Sequence, residues 1–386
     1  MTDLSDLLNI DAEFSEEELA LRDRVREFVD RRIRPNIAGW YERAEFPLEI
    51  VPEMAELGLL GMHIEGYGCA GRSATEYGIA MQELEAGDSG LRTFVSVQGS
   101  LAMSAIAKHG SEEQKQRWLP EMAAGRVIGC FGLTEPEAGS DPAGMTTTAV
   151  RDGDGWVLNG AKRWIGLGTV ATIAIVWART DEGVRGFIVP TDREGFSAEV
   201  LEPKLSMRAS IQTELRFENV RLGDDERLPG ATSMRAPFEC LNEARYGIAW
   251  GAMGAARDAF EAAARYAGER KQFDKPLAAF QLTQKKLTDM ALEIVKGQLI
   301  ALRLGRLKDA GKLERHMISV GKLNNCRAAI EVCREARTVL GGNGILLENA
   351  PLRHANNLES VRTYEGTDEV HTLILGQHLT GENAFA

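Results

Sequence analysis

The chain has 386 residues, 44% hydrophobic and 26% charged, enough for a large enzyme subunit or two to three domains around a substantial core. Its 57 acidic against 45 basic side chains give a formal net charge of −12, which argues against sequence-independent nucleic-acid binding, a task that needs clustered Lys and Arg. No apolar run approaches the roughly 20 residues that span a bilayer, and the acidic start MTDLSDLLNIDAEF lacks the marks of a secretory or mitochondrial signal, so a cytoplasmic protein is expected.

Residues 1–128 read as helical. Ser15 with Glu18 makes a capping box, and Phe14 with Leu19 a hydrophobic staple. Leu19, Leu21, Val25, Phe28, Val29 and Ile33 then fall on one helical stripe, which Pro35 ends. The segments PLEIVPEMAELGLLGM and SATEYGIAMQELEAGDSGLRTFVSVQGSLAMSAIAKHG keep the helical pattern, and SEEQKQRWLPEMAAG opens on a second capping box. The character changes at Val127. VIGCFGLTE, GWVLNGAKRWI, ATIAIVWART, VRGFIVP and TELRFENVRL are short and rich in Val, Ile, Phe and Trp, with Gly, Asp and Asn between them. These are strand signals at the close spacing of an antiparallel sheet. Helix returns near Pro237 in long Ala- and Leu-rich stretches. The order predicts three domains, with boundaries at 1–128, 129–235 and 236–386.

Several short segments carry chemistry, each with a plainer reading beside it. Phe131–Asp141, FGLTEPEAGSD, places small residues and hydroxyls after a strand, where backbone N–H groups suit a flat polar ring or a phosphate; a β-turn loop has the same composition. LGGNG (Leu340–Gly344) follows a helix rather than a strand, so it reads as a helix C-cap and does not support a dinucleotide fingerprint. Arg270 in ERKQF suits a pyrophosphate or a solvated helix end. Arg92, in an apolar stretch, needs an anionic partner, and Glu85 earlier on the same helix is the first choice, with a ligand as the other. The six histidines have no metal-ligand spacing, and the five cysteines, without a C-x-x-C, read as small buried hydrophobes. TYEGTDEVH (Thr363–His371) sets Glu365 between an aromatic and bare backbone. That suits a desolvated, closely approached base, and equally a turn before a helix.

Taken in order, CFGLTEPEAGSD, LNGAKRWI, ARYGIAWGAMG, ERKQFDKPLAAFQLTQKKL, LGGNGI and TYEGTDEVHTLILG resemble the acyl-CoA dehydrogenase family along nearly the whole chain. IEGYGCAG, DSGLRTFVSVQGSLAM, LNEARYGIAWG, RLGRLKDAGK and LGQHLTGENAFA are most similar to its glutaryl-CoA dehydrogenases. The resemblance implies a mainly α fold: an N-terminal helical domain, a middle β-barrel-like domain and a C-terminal four-helix bundle. It also implies a homotetramer with one FAD per subunit, partly contacted by a neighbouring subunit, and electron-transferring flavoprotein as acceptor.

The resemblance assigns roles position by position. Glu365 is implied to be the catalytic base that removes the α-proton of an acyl-CoA, the hydride leaving the β-carbon for the flavin. Arg92 matches the partner of the distal carboxylate of glutaryl-CoA. Glu85 and Tyr364 match the residues that accompany it in members that release CO2 and form crotonyl-CoA, and Thr93 stands where a serine is usual. Ser140, Phe238, Leu241, Arg245, Gly366 and Phe385 match positions lining the acyl-CoA site. For FAD the matches are Phe131, Leu133, Thr134, Gly139, Ser140, Trp164, Ile165 and Gly166 on one stretch of chain. Arg270, Phe273, Gln281, Leu340, Gly341, Gly342, Thr367 and Glu369 match on another, with Glu369 in place of the more usual Asp. No metal is implied. One departure stands out: the family's Trp-Ile-Thr-Asn is here Trp164-Ile165-Gly166-Leu167. Glycine at this place also resembles the short-chain acyl-CoA oxidases, so an oxidase, or a dehydrogenase of another short or dicarboxylic acyl-CoA, is the alternative activity. A flavin-free binding protein on the same fold is a third reading, which Glu365 argues against.

Overall fold

The computed structural model describes residues 4–385. Ser15 caps helix α1 (Glu16–Phe28) reciprocally: its hydroxyl accepts from the Glu18 N–H at 3.1 Å, and the Glu18 carboxylate accepts from the Ser15 N–H at 2.9 Å. The stripe read from the sequence is the buried face, with Leu21, Val25, Phe28, Val29 and Ile33 at most 2% exposed. A π-helical turn, Val29–Ile33, extends α1, and Pro35 lies in the turn just past it. Helices α2 (Ile37–Arg43), α3 (Val51–Glu56), α4 (Ala74–Gly87), α5 (Ser89–Val95), α6 (Ser104–His109) and α7 (Glu112–Ala123) complete the first part. Ser111 and Gln114 form the second capping box at the start of α7.

Glu85 and Arg92 do not share one helix, as their spacing had suggested. Asp88 adopts an extended backbone (φ −166°), and its carboxylate accepts from the Gly90 N–H at 2.7 Å, so α4 stops and α5 starts anew. The break suits the packing, because Gly87 lies against α1's extension: a Cβ there would meet Ile33 Cγ2 at 2.8 Å. Past α5 the chain is π-helical over Ser96–Met103.

Seven strands follow: β1 (Gly129–Gly132), β2 (Thr148–Asp152), β3 (Gly155–Gly166), β4 (Ile173–Thr180), β5 (Gly183–Pro190), β6 (Phe196–Val200) and β7 (Gln212–Gly223). The sheet runs β1-β4-β2-β3-β7-β6, and β5 also pairs with β4. The antiparallel expectation needs a correction. β1 runs parallel to β4, Phe131 opposite Ile175, and β2 touches β4 in parallel at Thr148 and Arg179. A tight hairpin forces antiparallel pairing, but β1 leads into the long Leu133–Thr147 connection, which leaves its direction free. The sheet curls around Trp156, Leu158, Ile165, Val176, Phe187, Leu215 and Phe217.

The rest is helical apart from a two-stranded hairpin, β8 (Lys271–Gln272) and β9 (Lys275–Pro276). α8 (Arg235–Glu269), α9 (Gln281–Asp309), α10 (Arg315–Val339) and α11 (Ala350–Val361) share a core of Ala255, Ala259, Ile294, Ile330, Cys333 and Leu358, and α12 (Asp368–Thr380) follows. Small residues let these helices approach closely: a Cβ on Gly321 would meet Leu304 Cδ1 at 2.4 Å and Ala249 Cβ at 3.0 Å. No helix among the described residues is long and apolar enough to cross a membrane.

Candidate active site

The segment TYEGTDEVH is a turn and more. The Tyr364 N–H closes α11 on Ser360 O at 2.9 Å, and the Thr367 hydroxyl caps α12 by accepting from the Val370 N–H at 3.3 Å. Between them Glu365 and Gly366 have φ of 56° and 96°. A non-glycine residue in the left-handed region costs about 1–2 kcal/mol, so something must hold it there. Arg245 Nε donates to the Glu365 carbonyl at 2.6 Å, and Lys322 Nζ donates to the carbonyls of both Tyr364 and Gly366. Lys322 was not singled out in the sequence. The signal was present: it is a cation on the apolar stripe Ile318, Lys322, Cys326, Ile330 of α10.

Glu365 is half-buried as a residue, but its Oε2 is wholly buried and has no hydrogen-bond partner among the described residues. Burial pushes its carboxyl above the ordinary carboxylate range, and the charges of Arg92, Lys322 and Arg245 offset part of that. An unpartnered, desolvated carboxylate of this kind is a stronger base than a solvated one.

Arg92 has no exposed surface; its Nε pairs with Glu85 Oε2 at 2.6 Å, and Glu85 in turn accepts from the Ser89 hydroxyl at 2.9 Å. Burial opposes the guanidinium charge, but Glu85 beside it raises its pKa above the usual arginine value. Arg92 Nη2 donates to the Tyr364 hydroxyl, which also lies 3.2 Å from Thr93 Oγ1. Arg92 Nη1 is buried without a partner among the described residues. Because Tyr364 accepts from Arg92, its own O–H is free to donate to Thr93 or to a ligand. Burial holds that phenol protonated, well above its ordinary pKa.

A cavity of about 1410 Å³ opens beside this cluster. Thr93, Val97 and Leu101, four residues apart along α5 and its π-helical extension, form one wall; Phe238, Leu241 and Arg245 of α8 form another. Phe131, Leu133, Thr134, Gly139, Ser140, Trp164, Ile165 and Gly166 line the side toward the sheet, and Tyr364, Glu365, Gly366, Thr367 and Phe385 close it. Glu85 and Arg92 are not among the side chains that line the cavity. They stand behind Tyr364, because pairing with each other satisfies charges that could not be buried singly. Arg270, Phe273, Gln281, Leu340, Gly341, Gly342 and Glu369 also lie outside the cavity; Phe273 is 88% exposed.

The sheet side is built to face a ligand. A bulge between β3 and β7 lets Trp164 take φ 63° and leaves it 58% exposed on the cavity. The N–H groups of Thr134 and Ser140 donate to nothing among the described residues, and a Cβ on Gly139 would meet no atom within 4 Å. The loop is fixed from below: Lys162 Nζ reaches Glu135 at 2.8 Å and Leu133 O at 3.1 Å, and Glu135 also accepts from the Thr146 and Thr147 N–H groups.

Comparison with known proteins decides the family. Residues 15–126 match the acyl-CoA dehydrogenase N-terminal domain, 130–220 the middle domain and 234–380 the C-terminal domain. The chain is an acyl-CoA dehydrogenase family member. The short-chain specific acyl-CoA dehydrogenase of Bos taurus mitochondria is 36% identical over 375 residues, 95% of this chain and 91% of that one. Glutaryl-CoA dehydrogenase from Mycobacterium smegmatis superposes with a TM-score of 0.98 at 61% identity, each chain covered completely. A second glutaryl-CoA dehydrogenase structure from that organism, in complex with FADH2, gives a TM-score of 0.99 at 56% identity, again over the whole of both chains. This acyl-CoA dehydrogenase is therefore a flavoprotein oxidoreductase whose cofactor is FAD. The exposed Trp164, the orphan N–H groups of Thr134 and Ser140 and the size of the cavity fit a large planar ring with polar edges.

Proposed function

We propose that the chain catalyses the α,β-dehydrogenation of glutaryl-CoA with loss of CO2 to give crotonyl-CoA, passing electrons to electron-transferring flavoprotein. The observation that carries the reading is the buried Glu85–Arg92–Tyr364 chain. It presents a phenolic donor, backed by a positive charge, to the cavity that Glu365 borders. A monocarboxylic acyl chain gives such a cluster nothing to bind. A distal carboxylate would accept from Tyr364 and Thr93 and feel the Arg92 charge across a medium that screens poorly. The two Mycobacterium smegmatis glutaryl-CoA dehydrogenase structures lend support.

In this reading Glu365 takes the α-proton on its unpartnered Oε2. The Glu365 N–H, which has no partner among the described residues, binds the thioester oxygen as negative charge develops. FAD, when bound, would supply the redox chemistry as acceptor of a hydride from the β-carbon. The γ-carboxylate then leaves as CO2, and the protonated Glu365 returns its proton to the dienolate. Phe131, Leu133, Thr134, Gly139, Ser140, Trp164, Ile165, Gly166 and Thr367 would hold the flavin. Arg270, Phe273, Gln281, Leu340, Gly341, Gly342 and Glu369, which lie outside this cavity, would serve the flavin of a neighbouring subunit in a homotetramer. A cytoplasmic location completes the proposal.

Anaerobic incubation with glutaryl-CoA should bleach the flavin and release CO2. Reduction without CO2 would sink the decarboxylating assignment. Glu365→Gln should keep FAD and bind glutaryl-CoA, yet reduce the flavin about 10²–10⁴-fold more slowly, the usual contribution of a general base. A second reading, a short-chain acyl-CoA oxidase, is favoured by Gly166 alone; peroxide formed stoichiometrically with product under air would support it.

A further inference from the structure

The three successive carbonyls around Glu365 are each held by a buried cation. Lys322 Nζ donates to Tyr364 O and Gly366 O, and Arg245 Nε to Glu365 O. Lys322 is 1% exposed, reaches these carbonyls from α10, and forms no ion pair among the described residues. A trans peptide unit points its C=O and its N–H in opposite directions. A cation on the Tyr364 carbonyl therefore leaves the Glu365 N–H, at the other end of that unit, facing away from the lysine. The N–H groups of Glu365, Gly366 and Thr367 find no acceptor among the described residues. Free successive backbone donors in a left-handed turn make a concave site for negative charge.

We propose that Lys322 is a positioning residue of the reaction: it fixes the left-handed backbone at Glu365 and polarises the Tyr364–Glu365 peptide, so that the Glu365 N–H binds the thioester oxygen more strongly as enolate charge develops. The inference rests on the reading that a thioester sits beside Glu365. Its physical basis is cooperativity: a donor bonded at the carbonyl end strengthens the N–H of the same unit, and a charged donor does so more than a neutral one. Lys322 Nζ also lies 5.9 Å from the centre of the Tyr364 ring, but burying an ammonium without a carboxylate partner is unfavourable for stability, which a purely structural post would not require.

The test uses the FAD-loaded enzyme and bound crotonyl-CoA, whose thioester carbonyl band is read by infrared difference spectroscopy. In the wild type the band should lie below its free-solution frequency. Lys322→Met should move it back toward that frequency and lower kcat about 10- to 100-fold, short of the full loss of an oxyanion donor, with KM changed less than about threefold. Lys322→Arg should restore much of the shift. If Lys322→Met does not retain FAD, Lys322→Gln replaces it, with an intermediate band expected. A wild-type band position in a folded Met or Gln variant overturns the proposal, as does a loss confined to KM. Glu365→Gln separates the two readings. It keeps the backbone donor, so its band stays shifted while flavin reduction slows about 10²–10⁴-fold. A Glu365→Gln enzyme that reduces its flavin at the wild-type rate refutes the base assignment and leaves the band measurement on Lys322 valid.

Discussion

Arg92 and Tyr364 are hydrogen-bonded across the junction between α5 and the turn that carries Glu365. Through this bond the ion pair of α4 and α5 reaches the cavity without being exposed to it. Arg92→Met would leave Glu85 as a lone buried charge and should cost about 3–5 kcal/mol of stability. Adding Glu85→Gln should recover most of that, since the orphaned charge is then gone. Unfolding in denaturant checks this; a double variant as unstable as the single one would show that the pair is not the cause.

Tyr364→Phe is the milder probe of selectivity. It keeps the ring and removes the group that faces the cavity. A hydrogen bond to a charged group contributes about 1.5–3 kcal/mol, so the kcat/KM preference for glutaryl-CoA over butyryl-CoA should fall about 10- to 100-fold. Unchanged preference would count against a distal carboxylate at this end of the pocket.

Local rules made much of this legible. The capping boxes at Ser15 and Ser111, the stripe of α1 and the change to strands near Val127 are read from neighbours in sequence, and the structure has them. The ion pair of Glu85 with Arg92 was also legible, because a buried guanidinium needs an anion. The helix break between them was not, since Asp88 acts through a side-chain cap and Gly87 through a contact with Ile33. The parallel pairing of β1 with β4 depends on a long connection whose path no local pattern specifies. Lys322 escaped for a similar reason: its partners are carbonyls 42 and 44 residues away.

The pH dependence of flavin reduction should report Glu365 directly. Its pKa lies above the ordinary carboxylate range through burial, and the base must be ionised to act. The rate should therefore rise with pH through an inflection above that range and fall on acidification below it. Stopped-flow reduction by glutaryl-CoA gives the profile. An inflection at the value of a solvated glutamate would contradict the desolvated base.

Two glycines near the site should respond oppositely to a side chain. A Cβ at Gly166 would meet only Val97 Cγ2 at 3.6 Å and Ile211 O at 3.9 Å, which is ordinary contact. Gly166→Thr should fold normally and fill space in the cavity, and on the proposed placement of the flavin it should lower peroxide formation under air. At Gly251 a Cβ would lie 2.0 Å from Glu85 Oε2 and 3.1 Å from Arg92 Nε. Gly251→Ala should push the ion pair apart and cost about 1–3 kcal/mol, as overpacking does. Thermal unfolding and a peroxide assay on both variants decide it; equal stability of the two would mean that the Glu85–Arg92 pair tolerates displacement.

Another buried carboxylate, Glu83, ties three helices together and makes the fold sensitive to acid. Arg257 of α8 donates to it twice at 2.6 Å, and Arg26 of α1 at 3.0 and 3.2 Å. Burial alone would raise its pKa, but the two guanidinium groups overcome that and bring it from 4.5 down to about 2. An acid whose pKa falls on folding stabilises the fold above its unfolded pKa, and the contribution is lost as pH falls through the folded one. A tenfold change in proton affinity is about 1.4 kcal/mol, so Glu83 contributes on the order of 3 kcal/mol at neutral pH. Glu83→Gln should therefore be less stable than the wild type at pH 7, and the gap should narrow as pH drops from 4.5 toward 2. Denaturant midpoints for the two proteins across that window supply the measurement. A gap that stays constant with pH would mean that the helices are held by packing and not by this charge.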